Sequence, residues 1–156
     1  MNRNTFLELK IPPLVVFAAF ASFMWLLALA VPFAGFILLA KKPIALDVAA
    51  VGGVFAAGSI LSFLRAKTTL SHTQPAKSAL LVTTGVFAIT RNPMYLSLLF
   101  VLAGWAIYLS NFTAPVVIPL FIVYLNRFQI KPEERALAAL FGREFDEYCK
   151  RVKRWL

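Results

Sequence analysis

The chain has 156 residues, 60% of them hydrophobic and 15% charged, with a mean hydropathy of +0.77 and a formal net charge of +9. That length allows one domain, and a water-soluble fold of this size would still expose about a third of its unfolded-state surface, too much for so apolar a chain. A bilayer is the expected solvent, and the basic residues, dispersed through loops and tails, fit anionic headgroups better than nucleic acid.

Residues 12–31 carry no charge over 20 positions, and 43–64 carry only Asp47 over 22. Each is long enough to cross hydrocarbon as a helix. The first ends in Pro32-Phe33-Ala34-Gly35, without a small-residue cleavage pattern, so it reads as a retained span. The apolar run continues over 33–40, which predicts a kink at Pro32 or an interfacial ending before Lys41 and Lys42. The loop 65–91 follows, and His72 within it reads as a solvated side chain.

Residues 92–126 contain no charged side chain over 35 positions, and as one helix they would reach about 50 Å, more than the thickness of a bilayer core. Ser110-Asn111, with Pro115 and Pro119 beyond, divides them into a helical hairpin with arms at 94–109 and 113–125. Both arms are short for a full crossing, which implies local thinning of the bilayer or a hairpin that stops within it. After Pro132, Leu137, Leu140, Phe141, Phe145, Tyr148, Val152 and Trp155 recur three or four residues apart, with charged residues mostly between them. This pattern predicts an amphipathic helix on the headgroups, folded over the end of the hairpin, with Trp155 as a membrane-belt residue.

The expected fold is all-α: a polytopic membrane protein of about four transmembrane helices, the last two a hairpin, with a C-terminal amphipathic cytoplasmic helix. Four crossings put both termini and the 65–91 loop on one side. That side holds 14 Lys and Arg, and the other holds Lys41 and Lys42. The positive-inside rule then makes the termini cytoplasmic, with a prokaryotic inner membrane as the expected location.

Cys149 is the only cysteine, which excludes an intramolecular disulfide and a multi-cysteine metal site. Five of the seven acidic residues lie beyond Pro132, and Glu133-Glu134 stand just past the last apolar arm. Acids in the first turn of a helix that opens on Pro132 could simply favour its dipole. Arg91 at the start of the hairpin could likewise be a snorkelling anchor. Together they say more, because a hairpin returns its ends to one side and brings Arg91, Asn92 and Tyr95 toward Glu133 and Glu134. Acids beside an arginine and a tyrosine could hold a zwitterionic ligand, with Thr83-Thr84-Gly85 supplying open backbone donors.

An ordered set of segments carries a family resemblance: Leu81-Val82-Thr83-Thr84-Gly85-Val86-Phe87, Thr90-Arg91-Asn92-Pro93-Met94-Tyr95-Leu96, Pro132-Glu133-Glu134-Arg135, and Phe141-Gly142-Arg143-Glu144-Phe145 with Tyr148. It resembles the integral-membrane methyltransferases that include isoprenylcysteine carboxyl methyltransferase and phospholipid N-methyltransferases. The resemblance implies one membrane-embedded methyltransferase domain over 1–156, with the cofactor-binding part at about 81–156. It implies S-adenosylmethionine as cofactor and S-adenosylhomocysteine as product, held by Val82, Gly85, Asn92, Tyr95, Glu133 and Glu134.

Arg91, Glu134 and Tyr95 are the catalytic candidates, and the resemblance implies that Arg91 faces the transferred methyl and the acceptor. A carboxylate acceptor would need a cation to hold it, whereas an amine acceptor would need a base such as Glu133, Glu134 or Tyr95. The expected acceptor is apolar or lipid-like and enters from the bilayer along walls formed by Leu98, Leu99, Phe100, Leu102, Phe121 and Ile122. The competing readings are a phospholipid amine N-methyltransferase and a non-catalytic membrane subunit or carrier. The uncharged span interiors argue against a carrier. Neither a metal nor a nucleic-acid partner is expected.

Overall fold

The computed structural model describes residues 9–66 and 80–156, and the regular elements among them are all helical. His72 and most of its loop lie outside the described residues. Helices α1 (Pro13–Ala30) and α2 (Lys41–Arg65) are long and apolar enough to cross a membrane. Most of their surface is uncovered: Leu14, Phe23, Leu26 and Leu29 on α1, and Leu46, Val54, Leu61 and Leu64 on α2, are exposed. Apolar surface on this scale would be strongly unfavourable in water, at about 25 cal/mol per Å², and is at no disadvantage in lipid. α1 stops at Ala30, and a 3₁₀ turn, Pro32–Ala34, leads to Gly35, which pairs with Asn111.

Helix α3 (Pro93–Leu109) packs along α2 at unusually close range. A Cβ on Gly52 would lie 2.6 Å from the Ser97 carbonyl oxygen, and one on Gly104 would lie 2.6 Å from that of Ala45. Small residues let the two backbones approach where apolar lipid offers no driving force of its own. α3 ends at Ser110, which adopts a left-handed conformation, and α4 (Val117–Leu125) follows a turn around Asn111. Leu102, Ala106, Val117, Phe121 and Leu125 from these two helices join Val16 and Met24 of α1 in the core. Leu102 and Phe121 are fully buried there, so they cannot line a lipid-facing acceptor path as their apolar character suggested.

The direction of successive helices alternates. Leu9 N–H donates to the Phe128 carbonyl (3.1 Å) and Gln129 Nε2 to that of Ile11 (2.8 Å), which fixes the start of α1 beside the end of α4. At the opposite end, Asn111 Nδ2 donates to the Val31 carbonyl (2.9 Å), and Lys41 Nζ sits 5.5 Å from the centre of the Tyr108 ring. Ser62, near the end of α2, returns to Gly85, close in sequence to the start of α3.

The chain past Leu125 remains helical instead of starting afresh at Pro132. A π-helical turn, Asn126–Ile130, joins α4 to α5 (Lys131–Phe141), and Ile130 itself is helical in φ and ψ. Pro132 explains the local widening: it has no N–H to give the Phe128 carbonyl, and its ring would clash there. Leu9 N–H takes that carbonyl instead. Glu133 and Glu134 therefore do not sit at a free helix N-terminus, and capping does not account for them. The expected C-terminal amphipathic helix is two helices, α5 and α6 (Arg143–Arg151), broken at Gly142 with φ of 50°. Its apolar face survives the break, since Leu137, Ala138, Phe141, Phe145, Tyr148 and Val152 gather in one cluster with Leu81.

Candidate active site

The site is built where the start of α3, the head of α5 and the chain's last residues converge. Pro93 occupies the first turn of α3, where its missing N–H leaves no bond unmade, and its fixed φ sets the turn after Asn92. The loop 90–92 is held by the C-terminal segment: Arg91 N–H donates to the Lys153 carbonyl (3.0 Å), while Thr90 Oγ1 (3.1 Å) and Asn92 Nδ2 (2.9 Å) donate to that of Arg154. Thr90 is fully buried and also accepts from Asn92 N–H (3.3 Å).

The two acids of α5 have different partners. Tyr95 donates its hydroxyl to Glu133 Oε2 at 3.1 Å. Glu134 is gripped by Arg154, whose Nε and Nη2 donate to its two oxygens at 3.0 and 2.6 Å, and Arg91 Nη1 lies 3.3 Å from Oε1. Arg91 Nη1 also donates to Cys149 Sγ, while its Nε is buried with no hydrogen-bond partner. Glu133 retains some contact with solvent, yet the protein around it desolvates the carboxyl enough to push its pKa up to about 7. The Tyr95 bond opposes that shift, and the charge of Glu134 reinforces it. Burial raises the Cys149 thiol, against the pull of Arg91, so it is a thiol and not a ready nucleophile.

The segment before Arg91 is attached more indirectly. Gly85, with φ of 65°, opens a 3₁₀ turn, Gly85–Ala88, and a Cβ there would meet Ser62 Oγ at 2.8 Å. Tyr148 donates to the Phe87 carbonyl at 2.7 Å, and burial raises its phenol. Val82 is half-buried in the irregular stretch just before the turn. Among the described residues, neither Val82 nor Gly85 bonds to the acid cluster; α6 bridges the Gly85–Ala88 turn and the cluster, Tyr148 bonding Phe87 and Cys149 bonding Arg91.

Two bonded groups thus lie side by side at the head of α5 and make one polar cluster: Tyr95 with Glu133, and Arg91 and Arg154 with Glu134, which Asn92 joins through the Arg154 carbonyl. Arg154 is the member that the sequence reading missed, because it looked like one more basic tail residue. Its signal was the spacing to Val152. Val152 is extended (φ −121°, ψ 131°), so alternate residues face the same way: Val152 is buried, Lys153 exposed and Arg154 half-buried on the acid. Trp155, expected as a membrane-belt residue, is tied to the chain: its Nε1 donates to Asn126 Oδ1 (3.3 Å) and its half-buried ring packs on the core.

Residues 40–144 match the family model described as Phospholipid methyltransferase. An uncharacterized protein of Haemophilus influenzae is 44% identical over 63 residues, which are 40% of this chain and 100% of that protein. The Protein-S-isoprenylcysteine O-methyltransferase of Schizosaccharomyces pombe is 32% identical over 76 residues, covering 49% of this chain and 32% of the yeast protein. No solved structure matches the chain. The family match takes in more than half of the chain and runs from the start of α2 through the acid pair, so this chain belongs to the phospholipid methyltransferase family.

Proposed function

We propose that this chain is a single membrane-embedded methyltransferase domain that uses S-adenosylmethionine to methylate an apolar or lipid-like acceptor at the cytoplasmic face of a bilayer. In this reading α1 to α4 make four crossings, α3 and α4 form a hairpin, and α5 and α6 lie on the cytoplasmic side. The family supports methyl transfer, and the alternating helices support the topology, because they put Lys41 and Lys42 at the end away from Arg91 and Arg154.

The observation that carries the proposal is the polar cluster itself. Apolar helices surround one polar spot, in which Glu133 pairs with a hydroxyl instead of a cation and Arg91 keeps a buried donor without a partner. A zwitterionic amino-acid group matches both, its ammonium toward carboxylate and its carboxylate toward guanidinium. S-adenosylmethionine carries such a group and, when bound, supplies a methyl already activated on a sulfonium. The protein then has to align and dry the reacting groups. Val82, Gly85, Asn92, Tyr95 and the acid pair line the cofactor side, and Arg91 stands at the boundary, facing both the cofactor's carboxylate and the acceptor's polar end.

Calorimetry of S-adenosylhomocysteine with purified protein tests the cofactor. Methylation in lipid nanodiscs, with prenylated thiols, fatty acids and aminophospholipids as acceptors, tests the chemistry and separates a carboxylate acceptor from a phospholipid amine. Absence of binding would remove the enzyme reading in favour of a structural subunit, and methylation confined to water-soluble molecules would remove the lipid-like acceptor.

A further inference from the structure

The adjacent acids at the head of α5 differ in how much of their charge is already answered. Glu134 faces two guanidiniums, and Arg154 occupies both of its oxygens. Glu133 has the Tyr95 hydroxyl and, among the described residues, no cation. An incoming ammonium at Glu134 would compete with a two-point fork and meet the like charges of Arg91 and Arg154. At Glu133 it would meet a carboxyl whose one partner is neutral.

Arg154 also acts in a second direction. Its side chain ties α5, while its carbonyl accepts from both Thr90 and Asn92, and the preceding carbonyl accepts from Arg91 N–H. One residue therefore connects the acid to the loop that carries Arg91. With the fork in place, the Arg91 guanidinium is held between Glu134 and Cys149, and its Nε is left without a partner.

Resting on the proposed cofactor, we infer that the acid pair is divided in function. Glu133 receives the ammonium of the methionyl group, whereas Glu134 and Arg154 are positioning residues that clamp the C-terminal segment against loop 90–92 and orient Arg91.

The test compares two ligands by calorimetry: S-adenosylhomocysteine and its analogue lacking the α-amino group. Glu133→Gln should weaken the first by about tenfold or more, the worth of one charge-assisted bond, and leave the second unchanged. Glu134→Gln and Arg154→Gln should weaken both ligands alike, and the double variant should be no worse than either single one, because the two act as one unit. Arg154→Lys, which keeps charge but not the fork, should recover part of the loss and guards against a variant that merely fails to fold. The inference is overturned if Glu134→Gln discriminates between the ligands while Glu133→Gln does not, or if folded Arg154→Gln binds both normally. A wild-type protein that binds neither ligand would instead overturn the proposed cofactor.

Discussion

Protonation of Glu133 sets two opposite pH trends. Its carboxyl lies among the Tyr95 hydroxyl from α3, the neighbouring Glu134 on α5, and, beyond Glu134, Arg91 and Arg154. Its pKa rises from an ordinary 4.5 to about 7 on folding, so between those values the folded chain holds a proton that the unfolded chain has lost. Stability contributed by this group is therefore full below pH 4.5 and is lost as pH climbs to 7. Affinity for an ammonium runs the other way, because the carboxylate must be ionised. S-adenosylhomocysteine affinity should fall by up to about tenfold per unit below pH 7 and level off above it, and Glu133→Gln should flatten the profile. A profile unchanged by that substitution would detach the trend from Glu133. Arg91 makes a different prediction: Arg91→Ala should reduce turnover by more than it reduces cofactor affinity, as single-turnover rates and calorimetry on the same protein would reveal. These residues were legible in sequence because chain reversal at Ser110-Asn111 had to bring Arg91 and Tyr95 back to the acids. Arg154 was not, because a charge after an amphipathic helix reads as solvated until the backbone turns extended at Val152.

At the level of elements, the uncharged runs gave α1 and α2 nearly to the residue, since hydrocarbon length and charge placement constrain both ends. The joints were harder. Pro132 looked like a helix start, yet the helix continues through it because a π turn opens the ladder and Leu9, 119 residues before Phe128, takes the freed carbonyl. No local pattern announces a partner so distant. Gly142 interrupts what the spacing of apolar residues presents as one helix, and the face reads through because the cluster on Leu81 forms regardless. The tight α2–α3 contact offers a direct check. Gly52→Val or Gly104→Val would drive side-chain carbon into backbone oxygen, so each should destabilise the protein by about 1–3 kcal/mol or more, visible as a lower unfolding temperature in detergent. Gly53→Ala, one position along and facing open space, should change little by comparison.

For the molecule as a whole, the polar cluster, Lys131 and the C-terminal segment share one end, and Lys41 with Lys42 occupy the other. Labelling in intact cells can test whether a bilayer separates these ends. A cysteine replacing Lys42 should react with an impermeant thiol reagent from outside, whereas one replacing exposed Lys131 should react only after permeabilisation, with the unsubstituted chain as the control for Cys149. The reverse pattern would invert the topology.

The stitch between residues 9–11 and the π turn also imposes an order on biogenesis. Helix α1 leaves the ribosome before α2 and α3, yet its N-terminal anchor is encoded near residue 128, so that end must wait while α2 and α3 are made. The clasp between loop 90–92 and Arg154 closes later still, because it needs residue 154. Both closures join distant parts of the chain, so they form slowly relative to the helices themselves. Until they do, the span helices can insert on their own hydrophobicity and α1 can pack on α3, but the acids have no clamp and the start of α1 is not tied to the π turn. A nascent chain stalled before residue 126 would have its apolar helices but neither the acid pair nor the tie that anchors the start of α1.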